Sequence, residues 1–308
     1  MGFGKIFQQS IKDYKLNIKT ILGIVLIFFF VPFILLLALN YGYSSSETGK
    51  AIVAESKTIQ TQLNNFDLSG GTLSEEDKAI VADLNSKQLQ LLIKQAPYLG
   101  LSFVLFIISL FIGYFGMLGI MVASFKPKFT YSDSVKGAKR FYWRSIGLMI
   151  LLFVFFLLIA LAGGILIAIG VALASISNIV GIIFVLLVAL IFLGFFIWIS
   201  VDLTFSNFIL VNENKSIFAS LSGSFKLLKE KWWVTFGRFI LFALCAFVLF
   251  VLMFLIFYLV GGIFNGVNSQ TSMESLNGFI WNLISYFVLF PIYILFIKNL
   301  YLNLKKNK

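Results

Sequence analysis

Six stretches of this chain run for nineteen residues or more without a single lysine, arginine, aspartate or glutamate: Thr20–Leu39, Tyr98–Ser124, Ile146–Ala174, Ile179–Ser200, Phe239–Phe264 and Phe279–Ile297. A helix needs about 20 apolar residues to cross the hydrocarbon core of a bilayer, and each stretch supplies about that or more. Barrel strands are about ten residues long and alternate in polarity. These runs are apolar on every side, so the expected fold is an all-α integral membrane protein with six transmembrane helices. Ser175–Asn178 is all that joins the third run to the fourth, which demands a tight helical hairpin. The second, third and fifth runs exceed the length a bilayer requires, so tilt or a bend is expected there.

Composition agrees and removes several functions. Of 308 residues, 60% are hydrophobic and 12% charged, against nearer half and a quarter in soluble domains. Histidine is absent, and with it the commonest general base, metal ligand and proton switch. The one cysteine, Cys245, lies inside an apolar run, so no intrachain disulfide and no thiolate zinc site can form. There is no phosphate-binding GxxxxGK[ST] loop, no HExxH and no CxxC. No catalytic residue, cofactor or metal is expected. The first run follows a basic segment, as in a signal peptide. Its apolar core Ile21–Leu39 is longer than the usual 7–15 residues of a signal, however, and we read it as a retained span.

Charge sets the expected orientation. Segments 1–19, 126–144, 202–238 and 298–308 carry 19 of the 24 Lys/Arg and 5 of the 13 Asp/Glu. Segments 41–95, 175–178 and 265–278 carry the remaining 5 basic and 8 acidic residues. The positive-inside rule then places both termini in the cytoplasm of a multi-pass plasma-membrane protein. The net charge of +11 sums two unlike faces. It is explained by anionic lipid headgroups without invoking nucleic acid. Tryptophans and tyrosines near span ends, among them Trp143, Trp198, Trp232, Trp233 and Trp281, fit an interfacial aromatic belt.

A pattern recurs three times. Aligned on a serine, the segments before spans one, three and five read SIKDYK from Ser10, SVKGAK from Ser134 and SFKLLK from Ser224. Lysines stand two and five residues on: Lys12 and Lys15, Lys136 and Lys139, Lys226 and Lys229. Glycine follows at thirteen: Gly23, Gly147 and Gly237. Apolar residues at −3, +1, +4 and +8 form one narrow helical stripe, with the lysines to one side and the serine to the other. The pattern predicts an amphipathic interfacial helix that ends in a turn before each span. It divides the chain into three pseudo-repeat units, 1–125, 126–211 and 212–308, each a hairpin of two spans. The six lysines are candidate contacts for anionic lipid.

The only long polar stretch, 41–95, is expected to form a helical hairpin on the outer face, turning at Gly70-Gly71. For the part before Gly70, a solvated spacer is the alternative. Ser74 and Asp77 have the spacing of a helix N-cap. Ile80, Val81, Leu84, Leu91 and Leu92 share one helical side, interrupted by Gln88. After the fourth span, Asp202 and Ser206 share a helix face. We take them, with Arg238, as a candidate intramembrane or interfacial polar site. Arg238 and Lys298 are the nearest partners by depth. Glycines in the spans predict close helix approach. Pro32 and Pro291 predict kinks in the first and last helices.

The stretch SIFASLSGSFKLLKEKWWVTFGRFILFAL (216–244), and with it YSDSVKGAKRFYWRSIGLMILLF (131–153), resembles a multi-span family. That family is the membrane domain that accompanies some glycerophosphoryl diester phosphodiesterases, together with uncharacterised stand-alone relatives. Ser224, Lys226, Lys229, Trp232 and Gly237 carry the likeness. It implies a six-span domain. It does not imply phosphodiesterase activity, which in that family resides in a separate soluble barrel with essential histidines. The expectation is therefore a non-catalytic membrane domain, a scaffold or lipid-interacting module, with membrane lipids and a membrane protein as its partners. A small-molecule or lipid transporter or channel is the alternative. A membrane-embedded lipid enzyme comes third.

Overall fold

The computed structural model describes residues 1–67, 74–175, 177–264 and 280–306. The expected turn at Gly70-Gly71, the loop 265–278 and Phe279 lie outside them. Every described element is a helix. Among the described residues, six helices are long and apolar enough to cross a membrane: Ile18–Ser45, Glu76–Ala123, Tyr131–Ala174, Asn178–Asn212, Trp232–Ile256 and Ile280–Lys306. Each contains one of the six uncharged runs or most of it.

The chain divides into two compact units, Met1–Val25 with Phe115–Lys308, and Leu26–Tyr114. In the first unit, α1 (Phe3–Leu16) is followed by α2 (Ile18–Val25). After the last residues of α5 (Glu75–Ala123) come α6 (Tyr131–Ala174) and α7 (Asn178–Leu203). The short α8 (Ser206–Asn212) and α9 (Ile217–Leu228) lead to α10 (Trp232–Phe264), and α11 (Phe290–Lys306) ends the unit. Its core sits where the basic segments are. The fully buried side chains include Ile6, Leu118, Leu148, Phe205, Leu228, Phe296 and Tyr301, whereas most of the apolar side chains along α6, α7 and α10 are exposed. In a bilayer such side chains meet acyl chains. Tyr301 is the hub of an aromatic cluster, with ring centroids of Phe125, Phe205 and Phe208 each 6.3 Å from its own.

Helices α6 and α7 form the tight hairpin that the short connection requires, and glycines make its seam. A Cβ on Gly163 would lie 3.1 Å from the Phe192 ring, and one on Gly170 2.6 Å from Val185. A Cβ on Gly181 would lie 2.5 Å from the Ala174 backbone.

The second unit holds α3 (Val31–Ser45), α4 (Glu47–Asp67) and the first part of α5. Of the two readings of the stretch before Gly70, the helix is the one observed. Ser74 and Asp77 form a reciprocal cap: Asp77 N donates to Ser74 Oγ at 3.1 Å, and Ser74 N donates to Asp77 Oδ2 at 3.2 Å. Ile52 and Ile59 of α4 pack with Leu84 and Leu91 of α5, and Leu63 joins them. Both pairs are seven residues apart, the spacing of a coiled-coil seam. The expected stripe is thereby corrected. Gln88 lies half-buried on the seam, while Ile80 and Leu92 point away from it and are exposed.

Each span proline follows a wide π turn, Leu26–Phe30 before Pro32 and Ser285–Leu289 before Pro291. Proline offers no N–H to the carbonyl four residues back and crowds it, and a π turn relieves both. For Pro291 that carbonyl is Phe287 O, which accepts a hydrogen bond from the Tyr14 hydroxyl at 2.8 Å.

Candidate functional site

The three serines behave alike. Ser10, Ser134 and Ser224 are 0%, 1% and 0% exposed. Four residues on, Tyr14, Ala138 and Leu228 are buried, and eleven on, Ile21, Ser145 and Thr235 are too. All six lysines at +2 and +5 are exposed. The serine is therefore the centre of the buried face, not a residue flanking it. The apolar residues at +1 and +8, among them Val135, Tyr142 and Trp232, are half-buried or exposed, and they lie between that face and the lysines. A helix so divided packs one face on protein, rests a second on apolar surroundings and holds its charges beyond both.

The expected turn before the span is present in two of the three segments. Asn17 ends α1, and residues 229–231 separate α9 from α10. The middle segment runs straight into its span as one 44-residue helix, α6. The difference is local. Asn17 Oδ1 accepts from Phe129 N at 3.0 Å, and its Nδ2 donates to Asp13 O and Pro127 O, so it competes with the helical ladder. Phe141, at the same place in α6, offers no such competition.

Each serine faces a residue of another helix. A Cβ on Gly119 would lie 3.3 Å from the Ser134 carbonyl oxygen. Ser224 Oγ donates to the carbonyl oxygen of Asp202. Asn299 Nδ2 donates to Ser10 Oγ at 3.1 Å.

Asp202 is 5% exposed. Neither expected partner reaches it. Lys298 instead forms a 2.7 Å ion pair with Asp13, the two side chains 8% and 15% exposed, and Asn299 Nδ2 donates to the same Asp13 Oδ2 at 3.1 Å. Arg238 donates to the Met1 carbonyl at 2.8 Å. Among the described residues no hydrogen bond or ion pair reaches the Asp202 carboxylate. Ser206 Oγ is buried without a hydrogen-bond partner among them. A pocket of about 290 Å³ opens beside Asp202, lined also by Trp198, Lys226, Lys229 and Trp232. The Trp232 indole N–H donates to the Trp198 carbonyl at 3.2 Å. Sequence reasoning named Asp202, Lys226 and Lys229 separately; the fold assembles them.

Sequence reasoning missed the Asp13–Lys298 pair. No spacing links residues 285 positions apart, and the only signal was an acid inside the first basic segment. The pair lies beside a cavity of about 400 Å³, lined also by Asn17, Lys126, Asn303 and Lys306. Nearby, Glu213 accepts from Tyr301 Oη at 2.7 Å and pairs with Lys215 and Lys305 at 2.6 and 2.9 Å. Burial pushes the Glu213 carboxyl up, but the hydrogen bonds from the two lysines and the tyrosine outweigh it and hold it down at about 2. Among the described residues no three His, Cys, Asp or Glu side chains converge as a metal site would require.

Comparison with known proteins gives no match, whether to a family model, to a curated protein or to a solved structure.

Proposed function

We propose that this chain is a non-catalytic, multi-pass plasma-membrane domain that holds phospholipid headgroups on its basic helices, with both termini cytoplasmic. The observation that carries the reading is the shared division of the three serine segments. The serines are buried at 0–1% while Lys12, Lys15, Lys136, Lys139, Lys226 and Lys229 are all exposed. Exposed lysines at the end of a lipid-facing helix meet phosphate at headgroup depth. The same correspondence supports three related units, 1–125, 126–211 and 212–308, each a hairpin led by an interfacial segment. On this reading the likeness of 131–153 and 216–244 to the membrane domain of glycerophosphoryl diester phosphodiesterases reflects a shared non-catalytic role. The polar stretch 41–95 then lies on the outer face.

The test is lipid retention. Protein reconstituted in nanodiscs with phosphatidylglycerol and phosphatidylcholine is extracted, and the retained lipid is measured by mass spectrometry. Replacing Lys12, Lys15, Lys136 and Lys139 with glutamine should lower retained phosphatidylglycerol several-fold relative to phosphatidylcholine. Unchanged retention in a folded variant overturns the reading. A transporter is the second reading, favoured by the 400 Å³ cavity beside the buried Asp13–Lys298 pair; solute flux through reconstituted protein would replace the first with it.

A further inference from the structure

The cavity of about 400 Å³ is walled by one face of α11, where Lys298, Leu302, Asn303 and Lys306 recur at helical spacing, and by Gln9 and Asp13 of α1. Its fixed charges do not balance. Asp13 is the one carboxylate among the lining residues, and it is fully engaged. Gln9 Nε2 donates to its Oδ1 at 2.7 Å, while Lys298 and Asn299 donate to its Oδ2 at 2.7 and 3.1 Å. Against it stand the lysines 126, 298 and 306. Lys126 is answered by Asp133 at 2.6 Å, and Lys298 by Asp13. Lys306, exposed at the end of α11, meets no carboxylate and no hydrogen-bond acceptor among the described residues.

Two buried groups add donors to that surplus. Lys298 is 6% exposed, and its ammonium has three N–H groups for the single carboxylate oxygen it meets. Asn303 is 9% exposed. Its Oδ1 accepts from the Met1 nitrogen at 3.5 Å, which leaves Nδ2 as a donor. Buried donors without acceptors are costly, so this wall favours a ligand that brings oxygens and negative charge.

We propose that the cavity binds a phosphate group, held by Lys298, Asn303 and Lys306. The two lysines stand about 12 Å apart in helical rise, with Asn303 between them. Both side chains are long and flexible, so a group midway is within reach of each. A phosphate directs oxygens to three separate donors, whereas a carboxylate has only two oxygens. Phe125, Phe129 and Leu302 also line the cavity and suit the carbon side of a phosphate ester. A lipid headgroup and a soluble phosphate share this chemistry. The inference deepens the headgroup-binding reading above and rests on it, adding a cavity site distinct from the six exposed lysines.

The test is a calorimetric titration of the full-length protein in a maltoside detergent, with inorganic phosphate and with a short-chain phosphatidylglycerol as probes. Saturable binding of at least one is expected. Asn303→Asp sets a negative charge against the phosphate and should weaken that binding about tenfold or more. Lys306→Gln should weaken it several-fold. Lys87→Gln, which removes the same charge from α5, should leave it unchanged. No saturable binding of either probe, or wild-type affinity in both cavity variants, overturns the proposal. So does an equal loss in Lys87→Gln, which marks a response to net charge alone. Because Lys306 is exposed, its variant keeps the proposal falsifiable if Asn303→Asp fails to fold: wild-type affinity in Lys306→Gln then overturns it. Competition separates the two sources. Phosphatidylglycerol that excess inorganic phosphate leaves bound identifies the lipid, and displacement at equal concentration identifies the soluble ion. If the variant of Lys12, Lys15, Lys136 and Lys139 keeps its phosphatidylglycerol in nanodiscs while Lys306→Gln loses affinity, the broader reading fails and the cavity site stands. If that variant loses its lipid while both cavity variants bind as the wild type does, the cavity site falls alone.

Discussion

In the α4/α5 hairpin the side chains between the helices are Ile52, Ile59, Leu84 and Leu91. In the α6/α7 hairpin the same place is taken by Gly163, Gly170 and Gly181. The first pair of helices is polar on its outer surface, so a few large apolar residues, spaced by seven, mark the seam and drive association. The second pair is apolar all round. Leucine gains nothing there by leaving the lipid for another helix, and close backbone approach at small residues is what favours contact. The residues that signal packing are thus inverted between the two regions, because the surrounding solvent is inverted. A similar contrast separates ion pairs. Lys298–Asp13 is buried in the first unit, whereas Lys87–Asp83 on α5 is exposed at 52% and 57%.

Four substitutions test these contrasts, taken from the largest expected effect to the smallest. Asp13→Asn leaves Lys298 buried and uncompensated and should cost about 3–5 kcal/mol, lowering the melting temperature followed by tryptophan fluorescence. Little change would show that water reaches the pair. Leu84→Ala empties the seam of the polar hairpin and should cost about 3 kcal/mol. Circular dichroism and protease susceptibility between residues 47 and 98 should report the lost helix, and an unaltered pattern would argue against the seam. Gly170→Leu forces a side chain against Val185 and Phe184 and should cost about 1–3 kcal/mol in detergent. Gly164→Leu, where a Cβ meets nothing within 4 Å, is its neutral control; equal effects would sink the glycine-seam argument. Asp83→Asn, finally, should change stability by no more than about 0.5 kcal/mol. A larger loss would mean that this exposed pair is not the weak contact its position implies.

Much of this was legible in advance. Ser74 and Asp77 announced a helix start, and the structure forms that cap. The short connection at 175–178 announced the α6/α7 hairpin, and the span glycines announced part of its seam. The stripe on α5 was only half legible. Leu84 and Leu91 sit on the seam, but counting apolar residues drew in Ile80 and Leu92 and treated Gln88 as an interruption, when position and not polarity decides which residues face α4. Around the serines the error had the same source. Hydrophobicity picked the face that is partly exposed, while the buried face is centred on a small polar side chain that lets another helix approach.

What the chain determined by itself was where its six apolar runs lie and that each is helical among the described residues. A run of twenty residues without charge can satisfy its backbone in lipid as a helix, whatever its neighbours do. The tertiary structure alone decided which distant polar groups meet. It gave Lys298 to Asp13, Asn299 to Ser10 and the Phe287 carbonyl to Tyr14, and it left Asp202 facing a pocket with two lysines on its rim. Such pairings depend on the crossing of helices far apart in the chain. That crossing is set by packing, for which local spacing carries no record.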